Sequence, residues 1–154
     1  MIAEKIIDVL SAAEFLYAAT CDFKGRPNIA PKFLVKIDKN FIFLVDFVIG
    51  RTWENLKANP RASLSFMDMD SLTGYQVNGT VEIITQGKEY DMIIKELQEK
   101  EISFTAKRII EGIHKGKKSA SFEVSFSKQM VIFKVKAEEV VEIGPSGKVS
   151  REKV

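Results

Sequence analysis

The sequence predicts a mainly β protein, an antiparallel β-barrel with helices packed outside it. Three observations support this fold class. Short apolar segments recur along the chain, tight-turn sequences separate most of them, and helical periodicity is confined to the start and one late segment. The 154 residues suit a single domain over 1–154, and 45% hydrophobic residues with eleven Phe can form a sizeable core.

The first part of the chain contains one amphipathic helix and three β-prone segments. The predicted elements are a helix over 3–14 and strands over 15–21, 28–37 and 41–48. Asp22-Phe23-Lys24-Gly25 and Asp38-Lys39-Asn40 have the composition of the tight turns that join antiparallel strands. The third segment is almost continuously apolar, so we expect it to be buried on both faces.

A short helix and further strands follow, and proline marks one of the boundaries. Asn59-Pro60 ends the short helix because the residue before a proline disfavours the helical conformation. The remaining predicted elements are this helix over 52–58, strands over 62–67 and 74–85, a helical insertion over about 88–119 with helices over 88–100 and 103–115, and alternating apolar segments over 122–126, 131–135 and 140–143. The polar tail, 144–154, is predicted to be loose.

The composition excludes several function classes. A net charge of +2 is too small to indicate a nucleic-acid partner, and no apolar run is long enough for a membrane helix. With Cys21 as the one cysteine, an internal disulfide is impossible, and a reducing, cytoplasmic location is expected. With His114 as the one histidine, neither a Ser-His-Asp triad nor a His-rich metal site can form, and no metal site is predicted.

The segment from Gly50 to Arg61 carries the clearest functional signal. It follows the apolar third strand and begins Gly50-Arg51-Thr52, at the start of the predicted short helix. Free backbone N–H groups and the helix dipole favour an anion there, and Arg51 and Thr52 add charged and hydroxyl donors. The alternative is an ordinary turn in which Thr52 caps the helix and Arg51 lies in water.

A redox cofactor suits a chain that lacks acid–base pairs and metal ligands. A flavin requires binding, orientation and electrostatic tuning from the protein. Arg51 and Thr52 can bind its phosphate, and the strand ending Val45-Asp46-Phe47 can present its backbone edge to the ring. Lys32, in the neighbouring strand, is the candidate positive charge, and the alternative is a surface lysine whose alkyl stem covers apolar surface.

Four segments in a characteristic order carry a family resemblance. They are Phe15-Leu16-Tyr17-Ala18-Ala19-Thr20-Cys21 with Gly25-Arg26-Pro27 and Pro31, then Arg51 with Asn55-Leu56, then Asn59-Pro60-Arg61, then Val77-Asn78-Gly79-Thr80-Val81. Together they resemble the pyridoxamine 5'-phosphate oxidase-like FMN-binding split β-barrels. The similarity covers residues 14–85 well and 130–143 loosely.

The resemblance implies an antiparallel split β-barrel with FMN as its cofactor. It implies that Arg51 and Thr52 bind the FMN phosphate, and that the flavin is lined by Lys32 and Phe33, faced by Val45, Asp46 and Phe47, and flanked by Tyr75 and Gln76. It also implies a homodimer with two cofactor sites at the subunit interface, which agrees with the apolar surface expected of a Phe-rich barrel.

The chain departs from the pyridoxamine phosphate oxidases in its tail. Those enzymes carry a C-terminal Arg-Leu-x-Pro-like element for the substrate phosphate, and residues 144–154 contain nothing comparable. We therefore expect a flavin-dependent oxidoreductase or electron carrier of another specificity. Two alternatives stay open: a deazaflavin-dependent reductase using Lys115, Lys117 and Lys118, and a non-catalytic barrel that binds haem through His114 or takes another ligand.

Overall fold

Seven strands and three helices follow one another in the parts of the chain that the computed structural model describes, residues 1–47, 49–100 and 130–154. In chain order they are α1 (Glu4–Ala12), β1 (Phe15–Cys21), β2 (Pro27–Asp38), β3 (Phe41–Asp46), α2 (Arg51–Ala58), β4 (Arg61–Asp68), β5 (Thr73–Ile84), α3 (88–100), β6 (Val131–Ile143) and β7 (Val149–Lys153). None of the helices described is both long and apolar enough to cross a membrane.

Six strands close into an antiparallel barrel in the order β3-β2-β1-β4-β5-β6, with β6 pairing back onto β3. The thirteen residues of β6 make this closure possible. One side of β6 pairs with β5, while the other side pairs with β3 over Val131–Lys136 and with β7 over Glu139–Ile143. The predicted mainly β fold, an antiparallel barrel with outer helices, is confirmed.

The barrel interior is filled by apolar side chains that alternate along the strands. Those at most 1% exposed include Leu16, Leu34, Leu44, Leu64, Val77 and Phe133. The amphipathic helix α1 joins this core through Ile6 and Leu10, which are 4% and 0% exposed. Burial of each such side chain contributes about 1.5–3 kcal/mol, which holds α1 against the barrel.

A second apolar cluster lies outside the barrel, beneath α3. Ile93 and Leu97 of α3 pack onto the outward side chains of β2, β3 and β6, including Phe43 and Val45. Lys134 Nζ also contacts a carboxylate oxygen of Glu89 at 2.7 Å. β3 is therefore buried on both faces, as its apolar sequence predicts. The predicted helix over 88–100 is confirmed, while the rest of the predicted insertion and the segment 122–126 lie outside the described residues.

The C-terminal tail differs from the loose segment predicted over 144–154. Val149–Lys153 forms β7, a fully exposed strand paired with β6. The connecting turn is closed by hydrogen bonds from Gly144 N to Lys148 O and from Gly147 N to Gly144 O, both 2.9 Å, with Gly147 at φ 78°. Every side chain of β7 is exposed, and its sequence does not alternate between apolar and polar residues. The sequence pattern therefore does not predict a strand here.

The bulge between β5 and β6 requires glycine. The register of this pair shifts between Asn78 and Gly79, and a Cβ added at Gly79 would lie 2.0 Å from the Lys136 carbonyl oxygen. A carbon atom cannot lie this close to a carbonyl oxygen, so the backbone of β5 or β6 would have to move. At Gly74, in the same strand, the nearest atom would be 3.8 Å away, an ordinary contact.

We predict that Gly79→Ala lowers the free energy of unfolding by about 3 kcal/mol, because β6 must move away from β5 at the bulge. Chemical denaturation followed by circular dichroism measures the change. Gly74→Ala is the matched control and is expected to change stability by less than about 1 kcal/mol. Equal stabilities of the two variants would show that the bulge does not need a residue without Cβ.

Candidate functional site

The N-terminus of α2 is open to an anion. Gly50 occupies the N-cap position in an extended conformation and has no side chain to cap the helix. The first intrahelical bond runs from Glu54 N to Gly50 O at 3.2 Å, so the N–H groups of residues 51–53 have no partner within the helix. These groups and the helix dipole favour negative charge at this end.

Two amide–hydroxyl hydrogen bonds, one buried and one part-buried, hold α2 against the barrel. Asn28 Nδ2 donates to Thr52 Oγ1 at 3.2 Å, and Asn55 Nδ2 donates to Thr20 Oγ1 at 3.1 Å. The two α2 side chains, Thr52 and Asn55, are only 3% and 5% exposed. The Thr52 hydroxyl therefore faces β2, so an anion at the helix end would meet Arg51 and backbone N–H groups before this hydroxyl.

A cleft of about 180 Å³ opens beside this helix end, lined by Asp22, Arg26, Arg51, Glu54 and Asn55. Arg26 already forms an ion pair, because its Nε lies 2.7 Å from a carboxylate oxygen of Asp22. Hydrogen bonds from the backbone and side chain of Arg26 lower the pKa of Asp22 below its usual range. Arg51 is exposed, and within the described ranges no carboxylate pairs with it.

The size of the cleft limits what it can hold. Sites for whole small molecules usually enclose about 300–1,000 Å³, whereas this cleft measures about 180 Å³. It can accept a phosphate-sized group, so a ring system attached to that group must lie outside the cleft.

Lys32 and Asp46 form a buried ion pair with an Nζ–Oδ2 distance of 2.8 Å. Their side chains are 5% and 16% exposed. The exposure of Lys32 contradicts the alternative of a surface lysine. Because Lys32 is paired with Asp46, the positive charge proposed to face a flavin is already balanced by another predicted site residue.

Aromatic side chains line the outer surface near the end of β3. The Phe33 ring meets the rings of Phe15 and Phe47 edge-on, with centroids 5.3 Å and 6.5 Å away. Phe33 is 7% exposed and Val45 is 1% exposed, so Val45 can offer a ligand little beyond its backbone. Phe47 is half-buried and lies four residues before Arg51 in the chain.

Tyr75 and Gln76 lie on opposite faces of β5. Tyr75 points into the barrel, where its ring stacks on Phe66 at a centroid distance of 5.4 Å, and burial raises the pKa of its hydroxyl. Gln76 points outward and donates to Ser63 Oγ at 2.8 Å. β5 is separated from β2 by β4 and β1, about 14 Å across the sheet. Only β6 lies between β5 and β3, but Tyr75 pairs with Glu142 near one end of β6 and Val45 pairs with Ile132 near the other. The structure thus brings Lys32, Phe33 and residues 45–47 together and leaves Tyr75 and Gln76 apart from them.

Several residues of the cleft were not predicted as site residues: Asp22, Arg26, Glu54 and Asn55. Asn55 carried a usable signal, because asparagine is a poor helix former and stands inside an eight-residue helix. Arg26 and Asp22 are brought to α2 only by the fold. His114 and Lys115, Lys117 and Lys118 lie outside the described residues. Within those residues no three His, Cys, Asp or Glu side chains lie together in a way that could hold a metal ion.

Solved structures of similar fold include proteins described as FMN-binding, as an F420 reductase and as haem-binding. HupZ from Group A Streptococcus is 24% identical with a TM-score of 0.67, covering 94% of this chain and 96% of its own. A pyridoxamine 5'-phosphate oxidase-related, FMN-binding protein from Nostoc punctiforme is 15% identical with a TM-score of 0.56, covering 92% and 86%. An F420 reductase is 17% identical with a TM-score of 0.61, covering 90% and 98%. At these identities the similarity establishes the fold alone.

A haem-binding protein from Mycobacterium smegmatis also shares the fold, with 14% identity and a TM-score of 0.64, covering 97% of this chain and 57% of its own. A comparison with curated protein sequences finds no match. The family model described as pyridoxamine 5'-phosphate oxidase matches residues 2–142. This match spans nearly the whole barrel, and the chain therefore belongs to the pyridoxamine 5'-phosphate oxidase-like family of split β-barrels.

Proposed function

We propose that this protein binds FMN and acts as a flavin-dependent oxidoreductase or electron carrier. The observation that carries the proposal is Arg51, an exposed guanidinium without a carboxylate partner among the described residues, beside an uncapped helix end. Charge-assisted hydrogen bonds from Arg51 and from the backbone of the first turn would bind the dianionic phosphate. The family match and the FMN-binding relative support FMN as the source of that phosphate.

The flavin ring would lie along the end of β3, outside the phosphate cleft. Val45, Asp46 and Phe47 lead from β3 toward α2, and the Phe33 ring contacts Phe47. Backbone groups at the end of β3 would pair with the pyrimidine edge of the ring, and the aromatic side chains would cover part of its apolar surface. The residues of β5, Tyr75 and Gln76, reach such a ring less directly, so their predicted roles are the least supported by this geometry.

The protein residues would orient the cofactor and exclude water. When bound, the flavin would supply hydride or electron transfer at its N5 atom. Asp46 compensates the positive charge of Lys32. We therefore propose that Lys32 fixes the end of β3 against β2. Arg51 would then hold the phosphate at a constant distance from this strand end, which sets where the ring lies.

We propose further that two copies of the chain associate through the outer surface of β1 and β2. Three large apolar side chains are exposed there: Phe15 at 52%, Tyr17 at 57% and Ile29 at 65%. The strand register makes them neighbours, since Tyr17 lies opposite Pro31 and Ala19 lies opposite Ile29. A contiguous apolar surface of this kind is typical of a subunit interface. It adjoins Phe33, so a partner subunit seated there would enclose the proposed ring position.

The cleft favours a single phosphate over a longer acidic cofactor tail. Its second arginine, Arg26, is paired with Asp22, and Glu54 adds a carboxylate. A deazaflavin with several acidic groups would need more unpaired cations than these residues provide. The absorbance spectrum of the untreated protein, followed by mass spectrometry of the compound released on heating, distinguishes FMN, a deazaflavin and haem.

We predict that Arg51→Glu abolishes FMN retention, because it replaces the phosphate donor with a repelling carboxylate. Flavin content per chain after purification is the measurement, and melting temperature reports the fold. Lys95→Glu is the matched control, since it makes the same charge change at an exposed position of α3. Flavin content in Arg51→Glu equal to that of the wild type would exclude the cleft as the phosphate site.

A second prediction concerns Glu54, one of the two carboxylates that line the cleft. Glu54→Gln should tighten FMN binding about two- to fivefold, because removing one exposed negative charge near the helix end is worth about 0.3–1 kcal/mol to an anion. Titration of the apoprotein with FMN, followed by flavin fluorescence, measures the dissociation constant. Glu99→Gln, at an exposed position of α3, should leave it unchanged. Weaker binding by Glu54→Gln would place the phosphate elsewhere.

A third prediction tests the subunit interface. The double variant Tyr17→Glu/Ile29→Glu should be monomeric and should lose FMN, because two charges cannot be desolvated in an apolar contact. Light scattering coupled to size-exclusion chromatography measures the mass. Met92→Glu, which changes a 58% exposed methionine on α3, is the control and should remain dimeric. A monomeric wild type that retains FMN would overturn the interface.

A further inference from the structure

A second groove lies between α1 and the end of the β4–β5 hairpin. Its volume is about 370 Å³, and it is lined by Asp8, Val9, Ala12, Ala13, Met67, Asp68, Met69 and Asp70. It lies at the other end of the barrel from the Arg51 cleft, because β1 runs from α1 to the turn at Asp22, about 20 Å over its seven residues. The groove is open along its side, so it suits a segment of a larger molecule better than an enclosed small ligand.

The hairpin end presents apolar side chains where polar residues are usual. Met67, Met69 and Leu72 are 50%, 70% and 54% exposed. Ala12, Ala13 and Val9 supply small apolar contacts from the α1 side. Flexible methionines adapt their shape to a partner and are common at protein-binding surfaces. Exposed apolar side chains grouped around one groove indicate an interaction site.

The same groove carries three carboxylates, and among the residues that the structure describes neither lysine nor arginine lines it. Asp68 accepts hydrogen bonds from Ser71 Oγ at 2.6 Å and from Asp70 N at 3.0 Å. These bonds lower the pKa of Asp68 below its usual range. The chain as a whole carries a net charge of +2, so the acidic groove is a local feature opposite in sign to the rest of the molecule.

We infer that this groove docks a basic amphipathic segment of a partner protein, with cations facing Asp8, Asp68 and Asp70 and apolar side chains packed on Met67 and Met69. Charge complementarity and the mixture of apolar floor and acidic rim select this occupant. A second copy of the chain is disfavoured, because a two-fold contact through this groove would oppose the same carboxylates. The inference is independent of FMN binding.

Fluorescence anisotropy with a labelled helical peptide, Lys and Leu at amphipathic spacing, tests the groove on the purified full-length protein. Asp8→Asn/Asp70→Asn should weaken binding at least about fivefold, the loss expected for two rim charges. Met69→Ser should also weaken it, through lost apolar contact. Asp38→Asn and Met92→Ser, exposed positions away from the groove, are the matched controls and should bind as the wild type does.

Four results would overturn the inference. Equal binding of a scrambled peptide of the same composition would show attraction without docking, and equal binding by the groove variants would place the contact elsewhere. Absence of peptide binding together with saturable binding of dodecylammonium, or dissociation of the protein by the groove variants alone, would assign the groove to another occupant. Melting temperature confirms that each variant is folded, and because none of these measurements uses flavin, failure here is distinct from failure of the FMN proposal.

Discussion

The pairing of β6 with β3 is the constraint on which the rest of the structure depends. It converts an open sheet into a closed barrel and fixes both edges of β3, through Phe33–Val45 on one side and Val45–Ile132 on the other. The bulge at Gly79 lets β5 and β6 approach each other closely. The end of β3, from which the chain leads to α2, therefore has a defined position.

The orientation of α2 follows from buried polar groups. An amide left unpaired in an apolar interior costs about 1–3 kcal/mol, so the buried Asn55 strongly prefers the helix placement in which it donates to Thr20, and the part-buried Asn28 adds a second bond to Thr52. That placement uses the Thr52 hydroxyl on the inner side. Because Gly50 supplies no capping group, the outward end of the helix keeps its backbone donors available. One arrangement thus explains both the stability of α2 against the barrel and its openness to an anion.

Local patterns predict most of the elements, and non-local contacts account for the differences. Alternation and turn composition place β1 at 15–21, as observed, and the other early strands within two residues of their observed ends. β7 was missed because both of its faces are exposed. The apolar pattern predicts β6 as two segments, yet pairing with β5 on both sides of the bulge joins them.

The candidate site was predicted only in part, for the same reason. The sequence of Gly50-Arg51 indicates an anion site, because a helix start depends on adjacent residues. The pairing of Lys32 with Asp46 joins residues fourteen positions apart, and no spacing rule predicts it. The inward turn of Thr52 depends on Asn28 in another strand. The register of the strands determines which residues share a face of the barrel, and the sequence alone does not give that register.

The Lys32–Asp46 pair also constrains how the barrel can change over evolutionary time. Replacing either partner alone leaves a buried charge uncompensated, at a cost of about 3–5 kcal/mol, a large share of the stability of a domain this size. Replacing both with apolar residues removes that cost. Homologous barrels should therefore retain both charges or lose both, and a lineage moving between these states must cross a poorly folded intermediate or acquire extra stability beforehand.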